Sequence, residues 1–229
     1  MPKITCFLPC RKGSQRVPRK NVRKFSNMDY GLLEIKVKQL IDVEAIDEII
    51  LSTNDGEIID WVQRRECKKI RVHTRCDQLS SSVTSTDELV MHAKSLISDG
   101  CILWTHVTSP FVNAKVYTEL IDKYLMVSEQ GYDSLMTTTK VCSFLWNKKG
   151  PINYDRNREK WPRTQTLEGV YEINSAAFIA HANIYEKYQD RIGKNPYLFT
   201  LDKLTGYDID WQDDFIVAEC LLEKGLVSI

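Results

Sequence analysis

The sequence lacks an excess of either charge and lacks any long apolar run. Lys plus Arg and Asp plus Glu each number 31, so the formal net charge is zero and no overall positive field would attract nucleic acid or an anionic membrane. Apolar runs extend over only a handful of residues, whereas a membrane-spanning helix needs roughly 20, and the first residues contain no signal-peptide core. We therefore predict a soluble, cytoplasmic protein that binds neither nucleic acid nor membranes.

Paired cysteine motifs are also absent. The seven cysteines are odd in number, scattered along the chain and never spaced as C-x-x-C, which argues against structural zinc and against a disulfide framework. Several of them lie inside apolar, strand-like runs, where a reduced cysteine is a small hydrophobic residue. The fold must therefore depend on an ordinary hydrophobic core.

What the sequence contains is an alternation of short β-like runs with longer segments of helical periodicity. This order is typical of an α/β fold with a mostly parallel sheet, and the length suits one principal domain, 1–229. Strands are predicted at 3–9, 47–53, 69–74, 101–107, 133–141, 175–181 and 197–202. Helices are predicted at 32–41, 55–66, 85–97, 114–129, 183–192 and 211–225.

Residues 142–170 interrupt the alternation. They mix aromatic residues, Pro, Gly and charge without a helical or a strand period, so we interpret them as an excursion from the sheet. Phe144, Leu145, Trp146 and Trp161 make this excursion too apolar for a solvated loop.

A basic loop, LPCRKGSQRVPRKN at residues 8–21, follows the first predicted strand. Ligands of open α/β sheets collect beyond the carboxyl ends of strands, where a glycine lets the backbone approach an anion. Arg11 offers a bidentate phosphate contact and Gly13-Ser14 a tight turn with a hydroxyl; further charge comes from Lys12, Arg16, Arg19 and Lys20. The loop matches neither G-x-x-x-x-G-K-[ST] nor G-x-G-x-x-G. It predicts a polyphosphate site, with a solvated surface loop as the alternative.

Two carboxylates, Asp208 and Asp210, flank one apolar residue in GYDIDWQDDF, which we place at the end of a strand. Strand alternation would direct both to one face, and two hard oxygen ligands with room for water and phosphate suit Mg²⁺. The alternative is helix capping, in which Asp210 caps the next helix while Asp213 and Asp214 complement its dipole.

These segments together carry a family resemblance. LPCRKGSQRVPRKN resembles the N-terminal signature of the acylneuraminate cytidylyltransferases, which make CMP-activated sialic acids and related nonulosonic acids. The family's order continues in RCDQLSSSVTSTDELVMHA (75–93), HVTSPF (106–111) and DIDWQDDF (208–215), so the resemblance spans nearly the whole chain. The PRKN of the signature favours this family over the Kdo cytidylyltransferases, although Arg16-Val17-Pro18 is similar to their R-L-P.

The resemblance implies a Rossmann-like nucleotidyltransferase fold, a three-layer sandwich, with CTP as donor and Mg²⁺ as the essential ion. It implies that the anomeric hydroxyl of a nonulosonic sugar acid attacks the α-phosphate of CTP and that pyrophosphate leaves. The residues that it assigns to nucleotide binding are Arg11, Ser14, Lys20, Asn21, Arg75 and Ser85. Those assigned to the sugar acid are His106, Thr108, Ser109 and Asn174. Those assigned to catalysis are Arg11, Lys20, Asp208 and Asp210, of which the two aspartates would bind the metal.

The family also uses the region of 142–170 to reach a partner subunit. The resemblance therefore implies a protruding dimerisation arm and a C₂ homodimer.

The departures from the family pattern lie on the acceptor side. His106 stands where many members have a Gln that helps hold the sugar acid, Ser175-Ala176 replaces Gly-Ala, and the usual H-P near Trp146 is missing. They predict a nonulosonic acid other than N-acetylneuraminic acid, of legionaminic or pseudaminic type, made for a bacterial surface glycan. Three alternatives remain: His106 merely ends a buried strand, the acceptor is Kdo, or the chain is a nucleotide-binding relative without turnover.

Overall fold

The computed structural model describes residues 2–229, which form a seven-stranded sheet and a separate two-stranded one. The strands are β1 Ile4–Pro9, β2 Glu48–Thr53, β3 Ile70–Thr74, β4 Cys101–Thr105, β5 Ser134–Val141, β6 Trp146–Asn147, β7 Gly150–Pro151, β8 Val170–His181 and β9 Pro196–Leu201. The large sheet has the order β3-β2-β1-β4-β8-β5-β9, and β6 pairs with β7. All the large-sheet pairings that exclude β8 are parallel, while β8 runs antiparallel to both of its neighbours. The prediction of a mostly parallel α/β sheet is confirmed.

Within residues 2–229, five α-helices connect these strands and a sixth follows β9. They are α1 Gly31–Ile41, α2 Gly56–Gln63, α3 Thr86–Leu96, α4 Ala114–Ser128, α5 Ala182–Tyr188 and α6 Gln212–Glu223. Short polar side chains start three of them: Asp55 accepts the Glu57 N–H of α2, and Asn113 accepts the Val116 N–H of α4. Ser85 forms a reciprocal capping box with Glu88 at the start of α3. Each cap satisfies a backbone donor that the first helical turn leaves free.

Helices cover both faces of the sheet and give three layers. Because successive side chains of a strand point to opposite faces, Cys6 and Leu8 of β1 join one core while Phe7 joins the other. The first core is completed by α1, α2, α4 and α6, and the second by α3 and α5. The central strands β1 and β4 are consequently buried on both sides, as expected of a sheet between two layers of helices.

The chain reverses its direction of winding between β1 and β4. From β1 it proceeds through β2 to β3 at one edge of the sheet, and β4 then pairs with the other side of β1. In open α/β sheets, ligands bind at such a reversal, beyond the carboxyl ends of the two strands. The fold therefore opens a crevice after Pro9 and Thr105.

Strand β8 begins at Val170, five residues before the predicted start at 175. The pairing of β5 with β8 shifts register between Met136 and Thr138, and Ser175 opposite this shift has a left-handed backbone with φ of +57°. A bulge breaks the two-residue alternation on which strand prediction depends. The first part of β8 was therefore missed.

The excursion from 142 to 169 folds on itself. The Phe144 ring packs edge-on against Tyr154 and Trp161 at centroid distances of 5.3 and 5.4 Å. The buried Asn153 side chain donates to the carbonyls of Ser143 and Glu168 and accepts the Leu145 N–H. The segment thus has its own small aromatic cluster outside the main sheet.

No helix within residues 2–229 is long and apolar enough to cross a membrane.

Candidate active site

The crevice beyond β1 and β4 contains a cavity of about 510 Å³, here called the first cavity. Its lining residues come from the basic loop, from the turn after β4, from strand β8 and from the segment before α6. They are Pro9, Arg11, Ser14, Gln15, Arg16, Lys20, Asn21, His106, Val107, Thr108, Ser175, Asp208 and Asp210. Four parts of the chain that are remote in sequence thus meet where the fold predicts a ligand.

The basic loop is held in place by polar contacts rather than by regular structure. The Lys12 N–H donates to the Asn54 side chain over 2.9 Å, and the Asn21 amide donates to the Arg11 carbonyl over 3.0 Å. Gly13 has φ of +76°, with no atom within 4 Å of the position a Cβ would occupy. The loop backbone is therefore open at the point where an anion would approach.

Lys20 links the basic loop to the carboxylate pair. Its side chain is nearly buried, its ammonium donates to the Ile209 carbonyl over 2.7 Å, and it lies 3.7 Å from Asp210 Oδ1. Burial lowers the pKa of Lys20, and the charges of Asp210 and Asp208 oppose that shift. The Lys20 ammonium thus lies beside Asp210 in the lining of the first cavity.

Asp208 and Asp210 lie in a segment without regular secondary structure between β9 and α6, not at the end of a strand as predicted. Ile209 anchors this segment, because its side chain is fully buried and its N–H donates to the Thr108 carbonyl over 2.9 Å. The two flanking carboxylates consequently line the same cavity. The prediction that Asp208 and Asp210 point the same way rested on strand alternation. In the structure the buried Ile209 between them, and not pairing with a strand, fixes their common direction.

The Asp210 side chain does not cap helix α6. Asp214 performs that role, since its Oδ2 accepts the N–H groups of Asp210 and Trp211 over 3.0 and 2.7 Å. The Asp210 side chain instead accepts from the Arg16 guanidinium over 2.8 Å. The Asp210 carboxylate therefore lines the cavity as the partner of Arg16 and not as a helix cap.

The carboxylate pair fits a hard divalent cation. One oxygen of Asp208 is buried without a hydrogen-bond partner, and burial raises the pKa of this group, opposed by the Thr108 hydroxyl and by Lys20. Nowhere in 2–229 do three or more His, Cys, Asp or Glu side chains form a metal-binding group. Two carboxylate ligands would leave positions for water and phosphate oxygens, an arrangement that suits Mg²⁺.

Arg16 is a site residue that the sequence interpretation counted only as loop charge. Its guanidinium lies between the Asp210 carboxylate and the Trp211 ring, 5.0 Å from the ring centroid. Its membership of the basic loop was visible in the sequence. Its pairing with a carboxylate 194 positions away depends on the tertiary fold.

His106 directly follows β4 and lines the first cavity. Its Nε2 lies 2.9 Å from Trp104 Nε1, which is only a donor, so Nε2 accepts and the ring proton resides on Nδ1. Burial, with the nearby Arg191 charge, lowers the pKa of His106 to about 3. The ring is therefore neutral and serves as a polar wall rather than as a cation.

A second cavity, of about 890 Å³, adjoins the first and shares Ser175, Asp208 and Asp210 with it. Asn174 lines it, and this side chain donates to the Thr139 hydroxyl and accepts the Ala176 N–H. Gly206 packs so closely that a Cβ there would lie 2.6 Å from the Asn174 amide nitrogen. The two carboxylates thus stand at the junction of two polar cavities.

Three residues assigned by resemblance do not line either cavity. Arg75 is buried and its Nε donates to the Ser80 hydroxyl over 3.2 Å. Ser85 caps α3, and Ser109 is fully buried in the turn after β4. The remaining nine, namely Arg11, Ser14, Lys20, Asn21, His106, Thr108, Asn174, Asp208 and Asp210, line one cavity or both.

The chain is similar to known proteins both in sequence and in structure. A sequence model of the family described as cytidylyltransferase matches residues 5–219. A pseudaminic acid cytidylyltransferase of Campylobacter jejuni subsp. jejuni serotype O:2 is 27% identical, and the alignment covers 96% of each chain. An N-acylneuraminate cytidylyltransferase of Escherichia coli O18:K1:H7 is 24% identical over 97% of this chain and 52% of that protein.

Among solved structures, CMP:2-keto-3-deoxy-manno-octonic acid synthetase complexed with CTP superposes with a TM-score of 0.67. The sequence identity is 13%, and the superposition covers 97% of this chain and 99% of that one. At that identity the likeness is one of fold.

Proposed function

The chain belongs to the cytidylyltransferase family, and we propose that it transfers the cytidylyl group of CTP to a nonulosonic sugar acid. The anomeric oxygen of the acceptor forms a bond to the α-phosphorus, the bond from that phosphorus to the bridging oxygen breaks, and pyrophosphate leaves. The hydroxyl proton is released in the same reaction. The products are the CMP-sugar and pyrophosphate.

One observation carries this proposal: the carboxylates of Asp208 and Asp210 lie at the junction of two polar cavities. The first cavity contains Arg11, Arg16 and Lys20, whose positive charge suits a triphosphate. The second is lined mainly by polar groups and is large enough for a sugar acid. A donor in one and an acceptor in the other would meet beside the carboxylates.

The residues of the first cavity would act mainly through charge and position. Arg11 and Lys20 would neutralise the charge that grows on the phosphate oxygens as pyrophosphate departs. Lys20 is suited to this role because its contact with the Ile209 carbonyl fixes the ammonium before substrate binds. Ser14 and Asn21 would frame the nucleotide from the same loop.

We propose that Asp208 and Asp210 hold Mg²⁺, which would supply charge neutralisation at the reacting phosphate. The unpartnered buried oxygen of Asp208 supports this assignment. Arg16 now occupies Asp210 Oδ1, so this arginine would leave the carboxylate for a phosphate oxygen when the site is loaded.

We propose a legionaminic- or pseudaminic-type acid as the acceptor. The likeness to a pseudaminic acid cytidylyltransferase over 96% of both chains supports this choice. So does His106, because its neutral ring offers an Nδ1–H donor where the family pattern has a Gln amide. Kdo is the alternative acceptor, since the fold is also that of a Kdo-activating synthetase.

We further propose that the protein works in the cytoplasm as a C₂ homodimer joined through the 142–170 arm. The exposed tryptophans of that segment support the interface. Seven free cysteines accord with a reducing compartment.

The test is pyrophosphate release from CTP and Mg²⁺ over a panel of N-acetylneuraminic, legionaminic, pseudaminic and Kdo acceptors. We expect a kcat/KM at least tenfold higher for a legionaminic or pseudaminic acid than for N-acetylneuraminic acid. Preference for N-acetylneuraminic acid or Kdo would overturn the acceptor assignment alone. Absence of release with every acceptor, despite measurable CTP binding, would favour a nucleotide-binding relative without turnover.

A further inference from the structure

Helix α1 carries two buried polar side chains, Lys36 and Gln39, that point at the turn after β4. The Lys36 ammonium donates to the carbonyls of Ser109 and Val112 over 2.9 and 3.1 Å. The Gln39 amide donates to the Pro110 carbonyl over 2.7 Å. Two side chains, one helical turn apart, thus hold three carbonyls of a single turn.

The donors and acceptors around Lys36 match one for one. An ammonium has three N–H donors, and its third goes to the Tyr117 hydroxyl over 2.8 Å. The Tyr117 and Thr105 hydroxyls lie 2.6 Å apart, and Thr105 donates to the Ala176 carbonyl over 2.7 Å. Tyr117 therefore donates to Thr105, and the chain of hydrogen bonds runs in one direction from α1 to β8.

Burying the Lys36 ammonium in the core carries a large desolvation penalty. Lys36 has no exposed surface, and none of the ion pairs in the described part of the chain includes it. Burial lowers the pKa of Lys36 to about 7. A Leu or Met would fill the volume without the desolvation penalty. The arrangement therefore gives up stability for a defined position of the turn.

That turn directly supports the carboxylate pair. Thr108, which precedes the held Ser109, accepts the Ile209 N–H over 2.9 Å, and the Ile209 carbonyl accepts from Lys20 over 2.7 Å. No strand partner holds this segment. The position of the carboxylates therefore depends on Thr108, and through it on α1.

We infer that Lys36 and Gln39 are positioning residues, which set the Thr108 carbonyl and through it the location of Asp208 and Asp210. They contact neither cavity, so their effect on reaction rate would be indirect. The kinetic part of this inference rests on the proposed function, while its structural part does not.

The test compares Lys36→Met and Gln39→Met with Lys38→Met, a matched control in the same helix. Lys38 is exposed and forms an ion pair with Glu34 over 2.9 Å, so its loss leaves the turn unchanged. The first readout is amide hydrogen exchange by NMR without substrate, at Ile209 and, as an internal reference, at Ile50 in the centre of β2. We expect exchange at Ile209 to accelerate at least tenfold relative to Ile50 in both core variants, with no change in Lys38→Met.

The second readout separates kcat from KM. Displaced carboxylates should lower kcat at least tenfold and raise the Mg²⁺ concentration needed for half-maximal rate. The KM for CTP should change less than threefold, because the basic loop is untouched. If exchange accelerates equally at Ile209 and Ile50 and kcat is retained, Lys36 and Gln39 contribute only to the stability of the whole fold. That result would overturn the inference.

Two other failures are distinguishable. If Lys36→Met does not fold, Gln39→Met decides the matter, since it preserves side-chain volume and removes one hydrogen bond. If the wild-type protein releases no pyrophosphate, the proposed function fails, while the exchange ratio at Ile209 still supports or refutes the positioning role.

Discussion

Two single carboxylates provide the sharpest test at the scale of residues. Asp208→Asn and Asp210→Asn each preserve the size and shape of the side chain while removing one anionic oxygen ligand. We therefore expect kcat to fall about 10²- to 10³-fold at saturating CTP, with the midpoint of thermal unfolding little changed. Pyrophosphate release across a Mg²⁺ titration measures the loss. Asp213→Asn, an exposed carboxylate on α6 that lines neither cavity, is the control. Normal rates in the folded Asp208 and Asp210 variants at high Mg²⁺ would remove the metal assignment.

The partly buried His106 makes stability depend on pH. Its folded pKa of about 3 lies below the usual value of 6.5 for an unfolded chain, so the unfolded state takes up the proton first as pH falls. The stabilising contribution is complete above about pH 6.5 and declines from there toward pH 3.

We therefore expect wild-type protein to lose about 2 kcal/mol more stability than His106→Gln between pH 7.5 and pH 5. Urea unfolding of both proteins at both pH values measures the difference. His92, whose pKa burial lowers to about 4, titrates in both proteins and cancels. Equal pH dependence in the two would mean that the His106 ring is protonated at no extra cost in the fold.

The sequence predicted which charged residues belong to the candidate site, but it did not predict which residues they contact. The basic loop and the D-x-D pair were recognisable by their charge, and both line the first cavity. The roles of Arg16, Ile209 and Lys36 depend on partners 70 or more positions away. No local pattern encodes such pairings, and for Lys36 the helical period favoured only a place on a helix.

At the scale of elements, local signals located nearly every helix and strand. Helix α3 is an example, because Ser85 with Glu88 forms the capping box that the S-x-x-E spacing indicates. The exceptions are the short strands β6 and β7, which lie in the segment interpreted as an excursion, and strand β8, in which the left-handed Ser175 interrupts the alternation so that the residues before it were missed. Its antiparallel direction could not be read from its own residues, since direction is set by the neighbouring strands.

Ser85 offers a test that separates a structural role from a nucleotide-binding one. The resemblance assigns it to the nucleotide, whereas its hydroxyl accepts the Glu88 N–H at the start of α3 and lies outside both cavities. We expect Ser85→Ala to lower the free energy of unfolding by about 1 kcal/mol and to leave the KM for CTP within about twofold. Urea unfolding and CTP kinetics measure the two effects. A large rise in KM with normal stability would instead support the nucleotide role that the resemblance implies.

For the whole molecule, the order of strands and helices predicted the class of fold, and the reversal of winding between β1 and β4 located the crevice. The sequence could not say that β8 would lie between β4 and β5. That insertion brings Asn174 and Ser175 beside the carboxylates, and it follows from long-range pairing alone.

The apolar surface of the 142–170 arm predicts association of two copies of the chain. Trp146, Ile152 and Trp161 are 49%, 54% and 65% exposed in the isolated chain, and a segment outside the main sheet with such a surface is typical of an interface. We expect a dimer at micromolar concentration by light scattering. Trp161→Glu should shift the mass toward the monomer, because a carboxylate desolvated in an apolar interface is strongly unfavourable. Trp211→Glu, which changes a 60% exposed tryptophan outside the arm, should remain dimeric. A wild-type monomer, or equal dissociation in both variants, would refute the arm as the interface.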